Sequence, residues 1–133
     1  MNRPITLGLA LSLLAAAPAG AASTGVRATT RPSLVVTATD FRVALSKGSV
    51  PHGVPIAVTV RNQGRVQHEA IPEPTAAMDH ALRYRGRVES IENVAPGRQK
   101  SGTWYFARPG VYKIACHVAG HYMAGMHATI RVA

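Results

Sequence analysis

Residues 116–128 read CHVAGHYMAGMHA, and the reading of this stretch decides the fold. It holds the chain's single cysteine, Cys116, with His121 five residues later and Met126 five beyond that. Upstream, His68 offers a second imidazole. One thiolate, two imidazoles and a thioether form the donor set of a mononuclear blue-copper site: soft sulfur suits Cu(I), and imidazole serves both oxidation states.

The spacing has a geometric reason. Cys116 closes the apolar run 111–116, and the chain must turn back before the β-branched run 128–132. Gly120 and Gly125 supply the permissive backbone for that turn. One compact loop can therefore present three donors, and His68 completes the set from a neighbouring strand. Met123 competes with Met126, since it lies only two residues beyond His121. His52 and His80 compete with His68, but neither follows a turn into a strand as His68 does. His117 and His127 flank the donors. Strand alternation points His117 away from the side of Cys116, and both are expected to be exposed, as a point of access for electrons or metal.

Outward from the loop, short strand signals alternate with turn signals. Residues 33–39 (SLVVTAT) are β-branched, and 40–45 alternate with Phe41, Val43 and Leu45 on one face. Residues 47–55 carry two glycines and two prolines and read as a loop. Strand 56–60 ends at the Asn62-Gln63-Gly64 turn, and 66–71 is a short strand carrying His68. Residues 72–86 give the weakest pattern; Ala76, Ala77, Ala81 and Leu82 allow one or two helical turns. The Arg83-Tyr84-Arg85-Gly86-Arg87 run reads as a solvated loop. Strands follow at 88–94, at 102–107 with Trp104 and Phe106 on one face, at 111–116 and at 128–132. About eight short strands with little helix predict an all-β, antiparallel β-sandwich.

Length and composition set the frame. The chain has 133 residues, enough for one domain. Arg3, the apolar run 5–17 and the small residues 19–22 have the layout of a secretory signal, so 1–22 is expected to be a signal peptide and 23–32 a flexible lead-in to the domain 33–133. The apolar run of 13 residues falls short of the ~20 that a membrane-spanning helix needs. Export to the periplasm is the expected localisation. An exported chain with one cysteine forms no internal disulfide, and a free thiol outside the cytoplasm invites oxidation, so metal ligation is the better use of Cys116.

The chain carries 15 Lys and Arg against 6 Asp and Glu, and without Arg3 the balance is 14 − 6 = +8. Such a surface suits an acidic docking partner. Nucleic acid is not expected, because the cations are scattered and aromatics are few. A cysteine hydrolase is disfavoured too: its histidine normally comes from afar, and nucleophilic catalysis has no use for a thioether. A multicopper oxidase would need further His-rich sites that a chain this short does not hold.

Residues 94–132 resemble the C-terminal half of the cupredoxins, the plastocyanin and azurin family. The matching pieces are Pro96-Gly97, the strand after Pro109-Gly110-Val111-Tyr112, and C-x4-H-x4-M followed by ATIRV; Asn62-Gln63-Gly64 followed by His68 fits upstream. The resemblance implies a Greek-key β-sandwich holding one copper ion that cycles between Cu(II) and Cu(I). His68, Cys116 and His121 would be its equatorial ligands and Met126 the axial one. It implies a one-electron carrier, monomeric and without enzymatic activity, that meets redox partner proteins. The other reading is copper tolerance, buffering or delivery, with a copper donor or acceptor protein as partner. One departure matters. In the electron carriers the residue after the first histidine ligand is often an Asn that braces the ligand loop; here it is Glu69, a pairing more like that of small exported cupredoxins whose roles include copper handling.

Overall fold

The computed structural model describes residues 30–75 and 81–133. The expected signal peptide, most of the lead-in, and Met78 and His80 lie outside the described residues, as do Ala76 and Ala77 of the suggested helical turns. Ala81 and Leu82 carry no regular structure, and Leu82 packs against the core. No helix among the described residues is long and apolar enough to cross a membrane.

Alternation builds the first sheet. In β1 (Ser33–Thr39) Leu34, Val36 and Ala38 point inward, and in β4 (Pro55–Asn62) Ile56, Val58 and Val60 do the same. With β2 (Arg42–Leu45) and β9 (Gln99–Tyr105) they form a four-stranded sheet in the order β2-β1-β4-β9. The second sheet has five strands, in the order β3-β11-β10-β5-β8. They are β3 (Ser49–Val50), β5 (His68–Pro74), β8 (Ile91–Val94), β10 (Gly110–Ala115) and β11 (His127–Val132). Trp104 and Phe106 from one side meet Ile114 and Ile130 from the other in a continuous apolar core. Each such fully buried side chain stabilises the sandwich by roughly 1.5–3 kcal/mol.

The expected sandwich is present, with finer divisions than the sequence showed. The two main sheets use nine strands, and β6 (Arg83–Tyr84) with β7 (Arg87–Val88) forms a separate hairpin. The supposed loop 83–87 is thus part of a hairpin closed by the two-residue turn Arg85-Gly86. Arg85 (φ 51°) and Gly86 (φ 79°) take the left-handed backbone such turns require, and Tyr84 stacks on Tyr105 at 4.0 Å. Glu89, just after the hairpin, is buried; its carboxyl accepts the Tyr105 backbone N–H, and burial holds its pKa above the ordinary 4.5.

The sheets are also not purely antiparallel. β1 runs parallel to β4, and β3 runs parallel to β11. The loop read at 47–55 contains β3, because Ser49 and Val50 find partners in Arg131 and Val132 at the far end of the chain. A pairing so remote leaves no local signal. Phe41 leaves the face expected for it: with φ 61° it turns the chain between β1 and β2 and is 54% exposed.

Candidate metal centre

Three strand ends and one loop meet at one pole of the sandwich. His68 opens β5 where the pairing with β8 slips: His68 faces Val94 and Ala70 faces Ile91, so the extra residue lies in β8. Asn93 takes it up at φ 55°, with its side-chain oxygen accepting from Gln67 Nε2 at 2.8 Å. Bulges of this kind re-aim neighbouring side chains. The turn before β5 is tied by Asn62. Its amide nitrogen donates to the Val66 and Val94 carbonyls, each at 2.7 Å, and its oxygen accepts from Gly64 N at 2.8 Å. The turn signal seen in the sequence is therefore a buried side chain with its partners found.

Cys116 follows β10 directly. Its N–H donates to the Met126 carbonyl at 3.1 Å, while Met126 N–H donates to the His121 carbonyl at 3.0 Å and His121 N–H to the Val118 carbonyl at 2.8 Å. These bonds fold 116–126 into consecutive tight turns, with Gly120 at φ 82° and Gly125 at φ 88°.

The structure brings His68, Cys116 and His121 together, all three buried, with one donor atom of each within 4.8 Å of the others. Cys116 Sγ lies 3.6 Å from His121 Nδ1 and 4.0 Å from His68 Nδ1. With metal–nitrogen near 2.0 Å and metal–sulfur near 2.3 Å, a trigonal angle of ~120° places nitrogen and sulfur about 3.7 Å apart. The separations therefore fit a first-row ion held between them. Met126 is fully buried beside Cys116 in the core, whereas Met123 is 85% exposed. His52 is exposed in its loop, remote from the cluster in sequence and absent from it. The chemistry and geometry of this His-Cys-His-Met set suit one copper ion of type 1.

The surroundings free His68 of its proton but leave Cys116 holding its own. Burial pushes the Cys116 thiol pKa up, and the backbone N–H groups of Glu69 and Val118, aimed at the sulfur, pull it partly back. The thiol stays protonated until a cation displaces the proton. Burial likewise lowers the pKa of His68, His121 adds to this, and Asp40 opposes it. With Nδ1 turned to the sulfur, Nε2 of His68 faces Asp40 Oδ1 at 3.5 Å. At this distance Nε2 makes no hydrogen bond, and the Asp40 charge acts through space to raise the ring's basicity. Asp40 is itself held by Arg65, through the backbone N–H at 2.8 Å and Nε at 3.1 Å. These contacts keep its pKa below the ordinary value, the Arg65 backbone bond first.

Glu69 answers the departure noted in the sequence. Its Oε1 accepts the His117 backbone N–H at 2.9 Å, while its own N–H points to Cys116 Sγ. The carboxylate therefore braces the ligand loop. His117 corrects an expectation: its side chain is only 20% exposed, with Nε2 3.1 Å from Glu73 Oε2 and its ring stacked on Tyr122. Alternation did send it away from the core, but Tyr122 folds back over that outer face and covers it. His127 is exposed as expected. Asp40, Glu73 and Lys113 were missed, since each acts across strands that only the fold brings together.

No protein-family model matches the chain. A curated relative, the copper-resistant cuproprotein CopI of Rubrivivax gelatinosus, is 29% identical over 85 residues, which is 59% of this chain and 52% of that protein. The chain thus spans about half the length of the curated relative it matches. Reduced auracyanin from the photosynthetic bacterium Roseiflexus castenholzii superposes with a TM-score of 0.59 at 20% identity, over 76% of this chain and 96% of that one. Auracyanin A, a "blue" copper protein from Chloroflexus aurantiacus, superposes with a TM-score of 0.54 at 14% identity, over 76% and 98%. The chain has the cupredoxin fold.

Proposed function

We propose that this is an exported blue-copper protein that carries one electron at a time. His68, Cys116, His121 and the buried Met126 would hold the ion. Bound there, copper would supply a one-electron couple between Cu(II) and Cu(I), with no bond of a substrate changed. The observation carrying this reading is the preformed cluster, in which thiol and imidazoles already stand at near-ligating separations in a buried site tied down by Asp40, Glu69 and Asn62. Donors held this way move little when the metal changes charge, and small reorganisation is what fast electron transfer needs. The chain's own residues hold, orient and dehydrate the ion; a redox partner with an acidic face would dock against the +8 surface.

A second reading is copper tolerance or delivery, favoured by the likeness to CopI, a cuproprotein named for copper resistance. Export is common to both, and rests on the signal-like 1–22 segment and on a reactive thiol placed in a metal site.

The test has two stages. Cu(II) added to the purified protein should raise an intense blue thiolate-to-copper band that Cys116→Ser abolishes; a colourless product sinks the type 1 assignment. Electron exchange with a candidate redox partner is then timed against copper loss to a competing chelator. Faster electron exchange supports the carrier; faster metal transfer, with copper-sensitive growth of a strain lacking the protein, supports the tolerance reading.

A further inference from the structure

Each of the three donors in the ligand loop is followed at once by a ring: His117 after Cys116, Tyr122 after His121, His127 after Met126. The fold gathers these rings into a column. His117 lies nearly parallel to Tyr122, with centroids 4.9 Å apart and planes at 11°. Tyr122 meets His127 at 5.2 Å and 36°. The column stands on the outer face of the β5–β10–β11 region, the face opposite Ile114 and Ile130.

This placement is built rather than incidental. Glu73, fully buried on β5, reaches His117 Nε2 with one carboxylate oxygen and Lys113 Nζ, at 3.3 Å, with the other. Lys113 Nζ also donates to the Tyr122 hydroxyl and lies 5.1 Å from its ring centroid. A buried ion pair has a large desolvation penalty unless its partners are well arranged. Here the arrangement fixes two of the three rings.

The column begins at Cys116 and ends at the surface. Thiolate is the most covalent ligand in such a site, so the electron couples outward best through Cys116 sulfur. Cys116 is wholly buried, and its chain neighbour is His117. His127 at the other end is exposed. His127 also has a backbone path, through the Met126 carbonyl and the hydrogen bond it accepts from Cys116 N–H at 3.1 Å. Replacing Tyr122 leaves that path intact, so a Tyr122 variant separates the two.

We propose that His117, Tyr122 and His127 form an electron route from copper to the surface, separate from the His121 ring, which meets Phe41 edge-on with centroids 5.2 Å apart. This rests on the electron-carrier reading. A one-electron reductant docked at His127 loses an electron, Cu(II) gains it, and no proton or bond moves.

The test is intramolecular. A photoactive ruthenium complex is attached to His127 in a His52→Gln, His80→Gln background, and to His52 in a matched His127→Gln, His80→Gln control. Tyr122→Leu removes the middle ring and both of its contacts in the roughly 4.5–7 Å range of aromatic pairs, so the rate from His127 to copper should fall by about tenfold or more. The rate from His52 and the copper potential should stay as they were. His117→Leu, which opens the column at its other contact, should show the same loss if Tyr122→Leu does not fold. An unchanged His127 rate in a blue variant overturns the route alone. An equal fall from both labels places the effect in the copper site, and also overturns it. A chain that shows no blue band on loading overturns the copper reading itself, and the route with it.

Discussion

Replacing Gly64 with alanine tests whether His68 depends on a close backbone approach. A Cβ at Gly64 would press on Asp40 Oδ1, lie 2.6 Å from His68 Nε2 and sit 3.0 Å from Asp40 N. Ordinary carbon contacts need about 3.5 Å, so the imidazole or the turn must give by ~0.9 Å. Neither yields readily. His68 is wholly buried, the Asp40 carboxylate is tied to Arg65, and the turn is tied by Asn62. Gly64 has no left-handed φ, so its backbone accepts alanine and any loss comes from space alone. Overpacking of this kind costs about 1–3 kcal/mol. At about 4–8 °C per kcal/mol for a domain of this size, the apo protein should melt well below wild type. The copper-loaded variant should show a displaced or weakened blue band, because the methyl pushes a ligand. Gly53→Ala is the control: φ 71° strains alanine, yet nothing lies within 4 Å, so it should lose about 1–2 kcal/mol with the band intact. A Gly64→Ala protein with wild-type melting and spectrum would refute the close approach.

Met126→Leu should change the blue spectrum, whereas Met123→Leu, at an exposed position, should leave it alone and shift stability by no more than about 0.5 kcal/mol; a reversed pair of spectra would move the axial role. Glu69→Ala strands the His117 N–H and should cost about 1–3 kcal/mol in urea unfolding, while Glu69→Gln keeps an acceptor and should retain most of that stability. For Glu89, folding raises a carboxyl pKa, so its contribution is complete below the ordinary value of 4.5 and is lost as pH rises through the folded value. Melting curves against pH should therefore show wild type losing ground to Glu89→Gln as pH rises across that window, and parallel curves would remove Glu89 from the pH response.

The donors were legible because they lie close in sequence or follow a local turn. Cys116, His121 and Met126 share one loop, and Asn62 to Gly64 announce the turn before His68. Burial then separated Met126 from Met123, which spacing had left competing. The strands with strong alternation, β1 and β4, were legible for the same local reason. What escaped reading depends on pairing at a distance. β3 exists only because β11 passes beside it. Asp40 meets His68 across the pole of the sandwich, and the Glu73–Lys113 pair joins neighbouring strands. Glu69 could be named from sequence as a departure, but its role as a brace needed the position of the His117 amide.

The ligand loop has a topological consequence. Cys116, His121 and Met126 already sit in turns closed by backbone hydrogen bonds, so an ion shared among them encloses little chain. His68 is different: joining it to Cys116 closes a 48-residue loop in a protein whose one cysteine is free. By the relation for a covalent cross-link, closing a loop of that length removes unfolded-state entropy worth about 4 kcal/mol. The ion thus stands in for a disulfide the chain cannot make. That tie runs through a single imidazole, so His68→Ala should lose the added melting temperature of the loaded protein even where the other three donors still retain copper.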